Sequence, residues 1–547
     1  MKFSITLTKW ILAANTILFI VQPVNAQRKE RVQIKWYIQL SNDENDPATI
    51  SLYEQVENYN NSQDRIEVVI DPSYAGCSFD ATDSLLIKID EGNPPDITSL
   101  NYSELWEHML DIRPYLSTYD LSNADSVFFF KHKDNNKLLY LTFGVGNDLL
   151  YYNKSMFDSL NMPYPPSDYG EPYNGTDVWD MDKLEEIAML LTLDTNGYNA
   201  FHEEFNPGTI VQYGYHWRYS NGMAFIKPFG QPQIVDEECE VSVPYSARQA
   251  YTWIREGTWD KHFILPGEEN VELSADPLGS GKVGMVLTGS YYAEELEDVP
   301  FEWDIAPVPE YNGKTNIAWN TSSFGILNTC QHPDEALEVI FTIAGVAALY
   351  GTTIPTMKNL RSEVRDSLTM SYPNISWRVL DHSFERINPD ESTGDALHYN
   401  MAAWRLANDM RDYLQFDPAA DINGALDTYF IPQWEAIFAD ACTNDPSTGI
   451  YDQTNKDSNA KIEDLCTIYP NIVNSYARFS LCMPHAGKVK LTIYSANGQI
   501  VKTLIDRSYQ QGEYEFVWTP HDVPAGMYFA RFDLDDYYEV EKLIIVQ

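Results

Sequence analysis

The stretch that most constrains the fold covers residues 140–166, YLTFGVGNDLLYYNKSMFDSLNMPYPP, because its pattern changes around two glycines. Apolar and polar residues alternate over residues 139–143, which predicts a strand. Gly144 and Gly146 then favour a bend or break in that strand, before a second apolar run at residues 149–152. A chain with this pattern is predicted to pass from one lobe of a protein into another.

A short helix is predicted directly after this strand. Asn153 can accept hydrogen bonds from the first free amides of the helix. Met156, Phe157 and Leu160 then fall on one helical face, which predicts that this face is buried. Three prolines within residues 163–166 end the helix.

The beginning of the chain alternates between strand and helix patterns. Residues 32–40 and 65–70 read as strands, and residues 47–60 between them as an amphipathic helix. This alternation predicts an α/β fold with a largely parallel sheet, in which ligands bind beyond the carboxyl ends of the strands. A length of 547 residues with 44% hydrophobic residues supplies core material for about three structural units.

The first residues have the pattern of an export signal. Lys2 and Lys9 precede an apolar run at residues 10–21, which is too short to span a bilayer comfortably. Small residues follow at positions 24–26, so residues 1–26 are predicted to be a cleaved signal peptide. No cysteine for lipid attachment follows this region, and no later run is long and apolar enough to predict a membrane span.

The charge of the chain excludes some partners. It has 37 basic and 80 acidic residues, a formal net charge of −43. This charge repels nucleic-acid phosphates and anionic lipid surfaces, so neither is expected as a partner. We expect an exported monomer whose acidity serves solubility.

Several blocks in this sequence resemble extracellular solute-binding proteins of ABC importers, the family that includes the maltose-binding proteins. Beside residues 140–166, they are GNPPDI (92–97), MLLTLDTNGY (189–198), QYGYHW (212–217), GKVGMVLTGSYY (281–292) and TTIPTMKNL (352–360). The resemblance covers residues 31–441. It implies a two-lobed fold of the type II periplasmic-binding class, with lobe crossings near 142–148 and 302–308. It also implies ABC permease subunits as partners and no catalytic activity.

The last part of the chain has a different composition. Polar residues dominate residues 442–468, which are predicted to be a linker. Residues 469–547 contain short β patterns separated by Asn-Gly, Gln-Gly and Ala-Gly turns. This segment resembles the C-terminal sorting domain of type IX secretion, an immunoglobulin-like module related to the flagellar hook-cap fold, although Ile472-Val473 replaces the usual Pro-Phe. The resemblance implies contact with secretion machinery and delivery to the cell surface or medium, with periplasmic retention as the alternative.

Aromatic and polar residues at strand ends and in the matching blocks are the candidate ligand contacts. Aromatic rings stack on the apolar faces of sugar rings, while amide, carboxyl and hydroxyl groups bond sugar hydroxyls. A carbohydrate or oligosaccharide is therefore the expected ligand. The candidate stacking residues are Tyr37, Tyr102, Trp217, Tyr291 and Trp319, and the candidate polar contacts are Asn101, Asp148, Asn320 and Thr353.

No pattern indicates a metal, a cofactor or a catalytic centre. The loop at residues 194–205 begins like a calcium loop, but Tyr198 and Phe205 occupy ligand positions, so an acidic turn is favoured. The six cysteines form no CxxC pair and are expected mainly as buried small residues, with disulfide connectivity left open. There is no GxSxG or zincin motif. A surface glycan-binding adhesin and, more distantly, a secreted glycosidase remain the alternatives to a transport-linked binding protein.

Overall fold

A computed structural model describes residues 31–443 and 466–545 of the protein, apart from short gaps. The gaps are 41–45, 75–77, 132–136, 219–222, 231–232, 237–238, 267–275, 345–352, 388–396, 398–399, 470–471, 474–476, 484–486, 496–499, 510–511, 521–522, 525 and 535–536. The predicted signal peptide and most of the predicted linker lie outside the described residues.

A large mixed sheet begins with three parallel strands. Strand β1 (Val32–Gln39) lies between β2 (Ile66–Ser73) and β3 (Ile97–Thr98). Helices α1 (Pro47–Ser62) and α2 (Ser78–Asp90) follow β1 and β2 in the chain. The alternation of strand and helix confirms the α/β class that the sequence predicted, and it places the carboxyl ends of β1, β2 and β3 at one edge.

The sheet continues through a single long strand that joins its two halves. After β4 (Phe129–Lys131), strand β5 runs over Leu138–Asn153, and all 16 residues are buried. The first part of β5, up to Asn147, pairs with a strand of the first half that comes later in the chain. From Asp148 onward, β5 pairs with strands of the second half. We call the part of the molecule around the first half lobe 1 and the part around the second half lobe 2.

The predicted break of this strand at its glycines is wrong, because β5 is continuous through Gly144 and Gly146. The register instead shifts at Phe143, which has no partner in the neighbouring strand, as in a β-bulge. Gly146 is required for a different reason. A Cβ added there would lie 2.6 Å from Oδ1 of Asn320, so the glycine allows a neighbouring side chain to approach the strand closely.

Lobe 2 is built on the second half of β5. Its strands are β6 (Leu193–Asp194), β7 (Ile210–Trp217), β8 (Val283–Gly289) and β9 (Trp303–Ala306). The pair β7 and β8 is parallel, whereas β8 and β9 are both antiparallel to β5. Helices α3 (Lys154–Ser159), α4 (Met181–Leu191) and α5 (Tyr245–Trp259) lie along this part of the chain.

The chain then returns to lobe 1. Strand β9 still pairs with the lobe 2 part of β5, whereas β10 (Trp319–Ile326) pairs with the lobe 1 part. The return therefore lies between residues 307 and 318, a range that overlaps the segment 302–308 near which it was expected. A further short strand, β11 (Ile354–Pro355), pairs with β5 at Val145 and Gly144.

Six helices complete the two lobes. They are α6 (Pro333–Val339), α7 (Arg361–Ser371), α8 (Arg378–Phe384), α9 (Met401–Phe416), α10 (Ile422–Ala425) and α11 (Ile431–Thr443). Helix α8 packs along β5 beside the crossing, and α9 packs against α5 and α11 of lobe 2. Within the described residues, no helix is both long enough and apolar enough to cross a bilayer.

The C-terminal segment forms two smaller sheets. Its strands are β12 (Cys466–Tyr469), β13 (Ile472–Val473), β14 (Ala477–Met483), β15 (Gly487–Ser495), β16 (Ile500–Tyr509), β17 (Gly512–Trp518), β18 (Gly526–Leu534) and β19 (Tyr537–Ile545). Three of them form one sheet and five the other, and a separate cluster that includes Phe479, Leu491 and Phe532 fills their core. The all-β character of the segment agrees with the sequence, and an immunoglobulin-like arrangement stays a prediction.

Two cysteines have defined states. Cys239 is disulfide-bonded, so the expectation that the cysteines act mainly as buried small residues is wrong for this one. Cys330 is a free, half-buried thiol, and burial raises its pKa to about 12. At neutral pH this thiol is protonated and a poor nucleophile.

Candidate functional site

Asp148 lies where β5 passes from lobe 1 to lobe 2. Its amide donates to the carbonyl of Ala318 at 2.9 Å, which fixes the residue to the returning segment. Its side chain is 8% exposed, and Oδ2 has no hydrogen-bond partner. Burial raises the pKa of this carboxyl to about 7. A carboxylate in this position requires a donor that the surrounding protein does not provide.

The preceding residue, Asn147, adds a second buried acceptor. Its Nδ2 donates to Oγ of Ser383 on α8 at 2.9 Å, and that hydroxyl donates onward to the carbonyl of Leu380 at 2.6 Å. Its Oδ1 is buried without a hydrogen-bond partner. Two adjacent side chains at the crossing therefore each present an unused oxygen.

Tyr291 lies on the lobe 2 side of the crossing, directly after β8. Its hydroxyl lies 3.3 Å from Oγ1 of Thr288, and its ring lies against Gly289, which Asp148 faces in the strand register. Burial is the main cause that raises the pKa of Tyr291 to about 12, and the negative charge of Asp148 adds to it. The phenol is therefore a neutral donor and acceptor beside Asp148.

Asn320 approaches the same point from the start of β10. It is exposed, and its Oδ1 lies against the backbone of Gly146, with Ser290 also next to that glycine. Asp148 on β5 and Asn320 on β10 thus lie at the crossing, with Tyr291 directly after β8, and their role as ligand contacts stays a prediction. Asn147 and Ser290 were missed, although their places next to Asp148 and Tyr291 were a usable signal.

The two candidate tryptophans lie in the core of lobe 2. Trp217 is 4% exposed, and its ring stacks on Phe225 with centroids 5.6 Å apart. Trp319 is also buried in the same cluster. Neither ring presents a free face to the site in this conformation, and replacing either by alanine would remove core packing worth about 3–5 kcal/mol. Their role in ligand stacking stays a prediction that the geometry disfavours.

Lobe 1 supplies the remaining candidates. Tyr37 is buried, and its hydroxyl donates to the carbonyl of Ala81 at 2.8 Å, so the ring packs under α2. Asn101 and Tyr102 are half-buried after β3, and Tyr102 packs against the core of lobe 2. Thr353 is half-buried before β11. Tyr102 is the lobe 1 aromatic best placed between the lobes, whereas Tyr37 has a packing role.

Helix α9 contacts lobe 1 beyond the carboxyl end of β3. The carboxylate of Glu104 in lobe 1 accepts a hydrogen bond from the amide of Met401, the first residue of α9, at 2.9 Å. Arg405 of the same helix lies 2.7 Å from Asp83 and 4.0 Å from Asp80 of α2. These contacts link lobe 2 to the edge of lobe 1 that carries the strand ends.

Arg218 is a second residue that sequence reasoning did not select. It is buried at the end of β7, its NH2 lies 2.6 Å from Oε2 of Glu295, and its guanidinium lies 4.6 Å from the ring centroid of Tyr292. Its positive charge is therefore already matched by a carboxylate and an aromatic face. No sequence pattern distinguishes it from an exposed arginine.

The loop after Asp194 is an acidic turn. The Asp194 carboxylate accepts hydrogen bonds from the amides of Asn196, Tyr198 and Asn206 at 2.8–3.0 Å. Its oxygens accept hydrogen bonds from the loop itself, as in an acidic turn, and the choice between a turn and a calcium site stays a prediction. Among the described residues, no group of three or more His, Cys, Asp or Glu side chains could hold a metal ion.

Comparison with protein families decides which group of proteins the chain resembles. The model of the bacterial extracellular solute-binding protein family matches residues 47–344, more than half of the chain. The chain belongs to this family. Its members bind solutes and are not enzymes, so the predictions of the family and of a non-enzymatic protein are confirmed. The model of the secretion system C-terminal sorting domain matches residues 467–546, which confirms the second resemblance.

Solved structures support the two-lobed architecture. An ABC substrate-binding protein, Lmo0181 from Listeria monocytogenes in complex with cycloalternan, is 17% identical with a TM-score of 0.57, over 75% of this chain and 99% of that one. The maltose/maltodextrin-binding domain MalE from Bdellovibrio bacteriovorus, bound to maltotriose, is 15% identical with a TM-score of 0.53, over 76% and 100%. A cyclic alpha-maltosyl-1,6-maltose binding protein from Arthrobacter globiformis is 14% identical with a TM-score of 0.54, over 75% of this chain and 100% of that one. Comparison with curated proteins gives no match.

Proposed function

We propose that this protein is an exported binding protein that captures a carbohydrate or oligosaccharide between its lobes and delivers it to an ABC-type importer. The observation that carries the proposal is the group formed by Asp148, Tyr291 and Asn320 at the lobe crossing. The unused carboxylate oxygen of Asp148 fits a hydroxyl donor of a sugar, and the ring of Tyr291 lies against Gly289, the residue that Asp148 faces. The saccharides bound by the similar solved structures agree with this ligand class.

Closure of the two lobes would trap the ligand. The lobes are joined by β5 and by the returns before β10 and after β11, so a hinge at these segments would move α9 relative to lobe 1. In the described conformation, Glu104 and Arg405 already connect α9 to the opposite lobe. Ligand binding should therefore stabilise a compact form, which small-angle scattering can measure as a reduced radius of gyration.

A panel of oligosaccharides tests the proposal. Binding is first screened by the shift in melting temperature and then measured by calorimetry on the wild type and on Asn320→Ala. We expect at least one saccharide to bind, and Asn320→Ala to weaken it by about tenfold because a buried hydrogen bond to the ligand is lost. Gln331→Ala, at an exposed position outside the site, is the matched control and should bind like the wild type. Absence of binding to every saccharide would contradict the proposed ligand class, and formation of hydrolysis products would support the glycosidase alternative.

The sorting domain supports a second candidate function, that of a cell-surface glycan-binding protein without a transporter. The match over residues 467–546 is the observation that favours it. The two functions differ in what the cell gains from the ligand. Loss of uptake of the bound saccharide on deletion of the gene would support the importer, whereas unchanged uptake with lost adhesion to a glycan surface would support the second function.

The C-terminal module is predicted to determine location and to add nothing to ligand affinity. Its buried residues form a cluster of their own, in which Val489, Leu491 and Ile493 alternate along β15. A protein that ends at Thr443 should bind its ligand with unchanged affinity but should lose surface or extracellular delivery in the native host. Cell fractionation and calorimetry measure the two effects separately. Lost affinity would place the module in the site, and unchanged delivery would contradict its sorting role.

A further inference from the structure

Asp148 differs from the other aspartates that the structure shows as buried. Asp304 accepts hydrogen bonds from Ile305 and Ser376 at 2.7–3.0 Å, and Asp194 accepts three backbone amides. Asp168 lies 2.6 Å from Nδ1 of His382, and Asp417 accepts the amide of Ala419 at 2.8 Å. Only Asp148, among these five, has a buried carboxylate oxygen without a donor. The missing hydrogen-bond donor is therefore a feature of the aspartate at the lobe crossing.

The cations near this site are engaged elsewhere. Arg218 pairs with Glu295 and stacks on Tyr292. Arg386 stacks on the ring of Tyr169 at 4.5 Å and donates to the carbonyl of His382. Within the described residues, no ion pair reaches Asp148, and burial alone raises its pKa. Among the residues that the structure describes, the negative charge of this carboxylate thus has no ion-pair partner.

The carboxylate of Asp148 acts electrostatically on four tyrosines. Burial is the main cause of the raised pKa of Tyr151, Tyr169, Tyr215 and Tyr291, and the negative charge of Asp148 contributes to each. These tyrosines come from β5, the segment before α4, β7 and the end of β8. A buried carboxylate without an ion-pair partner attracts an ammonium group, because the ammonium neutralises its charge.

We infer that the saccharide captured by this protein carries a protonated amine, and that Asp148 is the residue that binds it. The inference rests on the proposed function and specifies its ligand. A neutral hydroxyl would donate a hydrogen bond to the carboxylate but would leave its negative charge unpaired in the closed site. An ammonium group would donate the hydrogen bond and also neutralise that charge. The net charge of −43 of the chain also favours the approach of a cationic ligand. A saccharide that contains an unacetylated amino sugar has this chemistry.

Matched sets of oligosaccharides test the inference. Each set contains glucosamine, N-acetylglucosamine and glucose oligomers of the same length and linkage, in both α1,4 and β1,4 forms. Calorimetry at about pH 7 on the full protein should show that the amine form binds at least about tenfold more tightly than its N-acetylated and neutral counterparts. In Asp148→Asn, which keeps the shape and removes the charge, the three forms should bind within about twofold of one another.

The controls separate this inference from the proposed function. Asp298→Asn removes one charge at an exposed position of lobe 2 and should keep the preference for the amine. Circular dichroism shows that each variant is folded. Equal or tighter binding of a neutral oligosaccharide by the wild type would overturn the inference and leave the proposed function standing. An amine preference that survives Asp148→Asn would assign it to another residue and overturn the inference as well. Failure of every oligosaccharide to bind would contradict both.

Discussion

Replacing Asp148 by asparagine should stabilise the ligand-free protein by about 4 kcal/mol at pH 8 and change its stability little at pH 4. Burial raises the pKa of this carboxyl from 3.8 to about 7, a shift of roughly 3 units at 1.36 kcal/mol each. The folded protein therefore favours the protonated form. The wild type should lose stability as the pH rises from about 4 to about 7 and then level off, whereas the asparagine variant, which does not ionise there, should not show this loss.

Urea unfolding of both proteins between pH 4 and pH 8 measures this effect. Other carboxyl groups also titrate in this range, but they are common to both proteins, so the difference between the two free energies of unfolding isolates Asp148. Asp298→Asn, at an exposed position, should follow the wild type within about 0.5 kcal/mol at each pH. A difference that does not vary with pH would mean that the carboxylate is solvated or paired in solution.

A residue that destabilises the ligand-free protein at neutral pH is expected to contribute to ligand binding. Binding sites commonly contain groups that cost folding stability because their partners arrive with the ligand. The same substitution, Asp148→Asn, is expected to raise stability and to remove the preference for an amine. A purely structural residue would lose stability on substitution, so the opposite signs of the two effects distinguish a binding role from a packing role.

The sequence predicted the local elements around the site well, because they depend on near neighbours. The side chain of Asn153 accepts a hydrogen bond from the amide of Met156 at the start of α3, as its position suggested. Asp180 caps α4 in the same way, and Leu184, Ile187, Ala188 and Leu191, which recur at helical spacing in the sequence, are buried. Caps and helical periodicity are set within a few residues, which a single sequence contains.

The direction of the aromatic side chains was not predictable in the same way. Trp217 ends a strand, and alternation shows only that successive residues face opposite sides of the sheet. Which side is the core depends on how α5 and the segment with Phe225, both after β7 in the chain, fold back against the strand. Tyr37 is buried for a similar reason, because α2 packs over it. The polar residues were easier to place, since Asp148 and Asn320 lie at the crossing itself.

Gly214→Ala is expected to give the largest loss of stability in lobe 2. Gly214 lies in the middle of β7, and a Cβ added there would overlap the backbone carbonyl and Cα of Ala188 in α4. Backbone atoms cannot rotate away as a flexible side chain can, so the helix and the strand would have to separate. We expect a destabilisation of at least about 3 kcal/mol, at the upper end of the range for overpacked cores.

A second glycine close in the chain provides the control. A Cβ on Gly208 would lie 3.4 Å from Oδ1 of Asn206, an ordinary contact, so Gly208→Ala should change stability by less than about 1 kcal/mol. Thermal and urea unfolding of the two variants measure the difference. The close approach of α4 holds β7, whose far end carries Arg218 to the site, so Gly214→Ala should also weaken ligand binding where it remains folded. Equal stability of the two variants would mean that α4 does not pack against β7 as the structure shows.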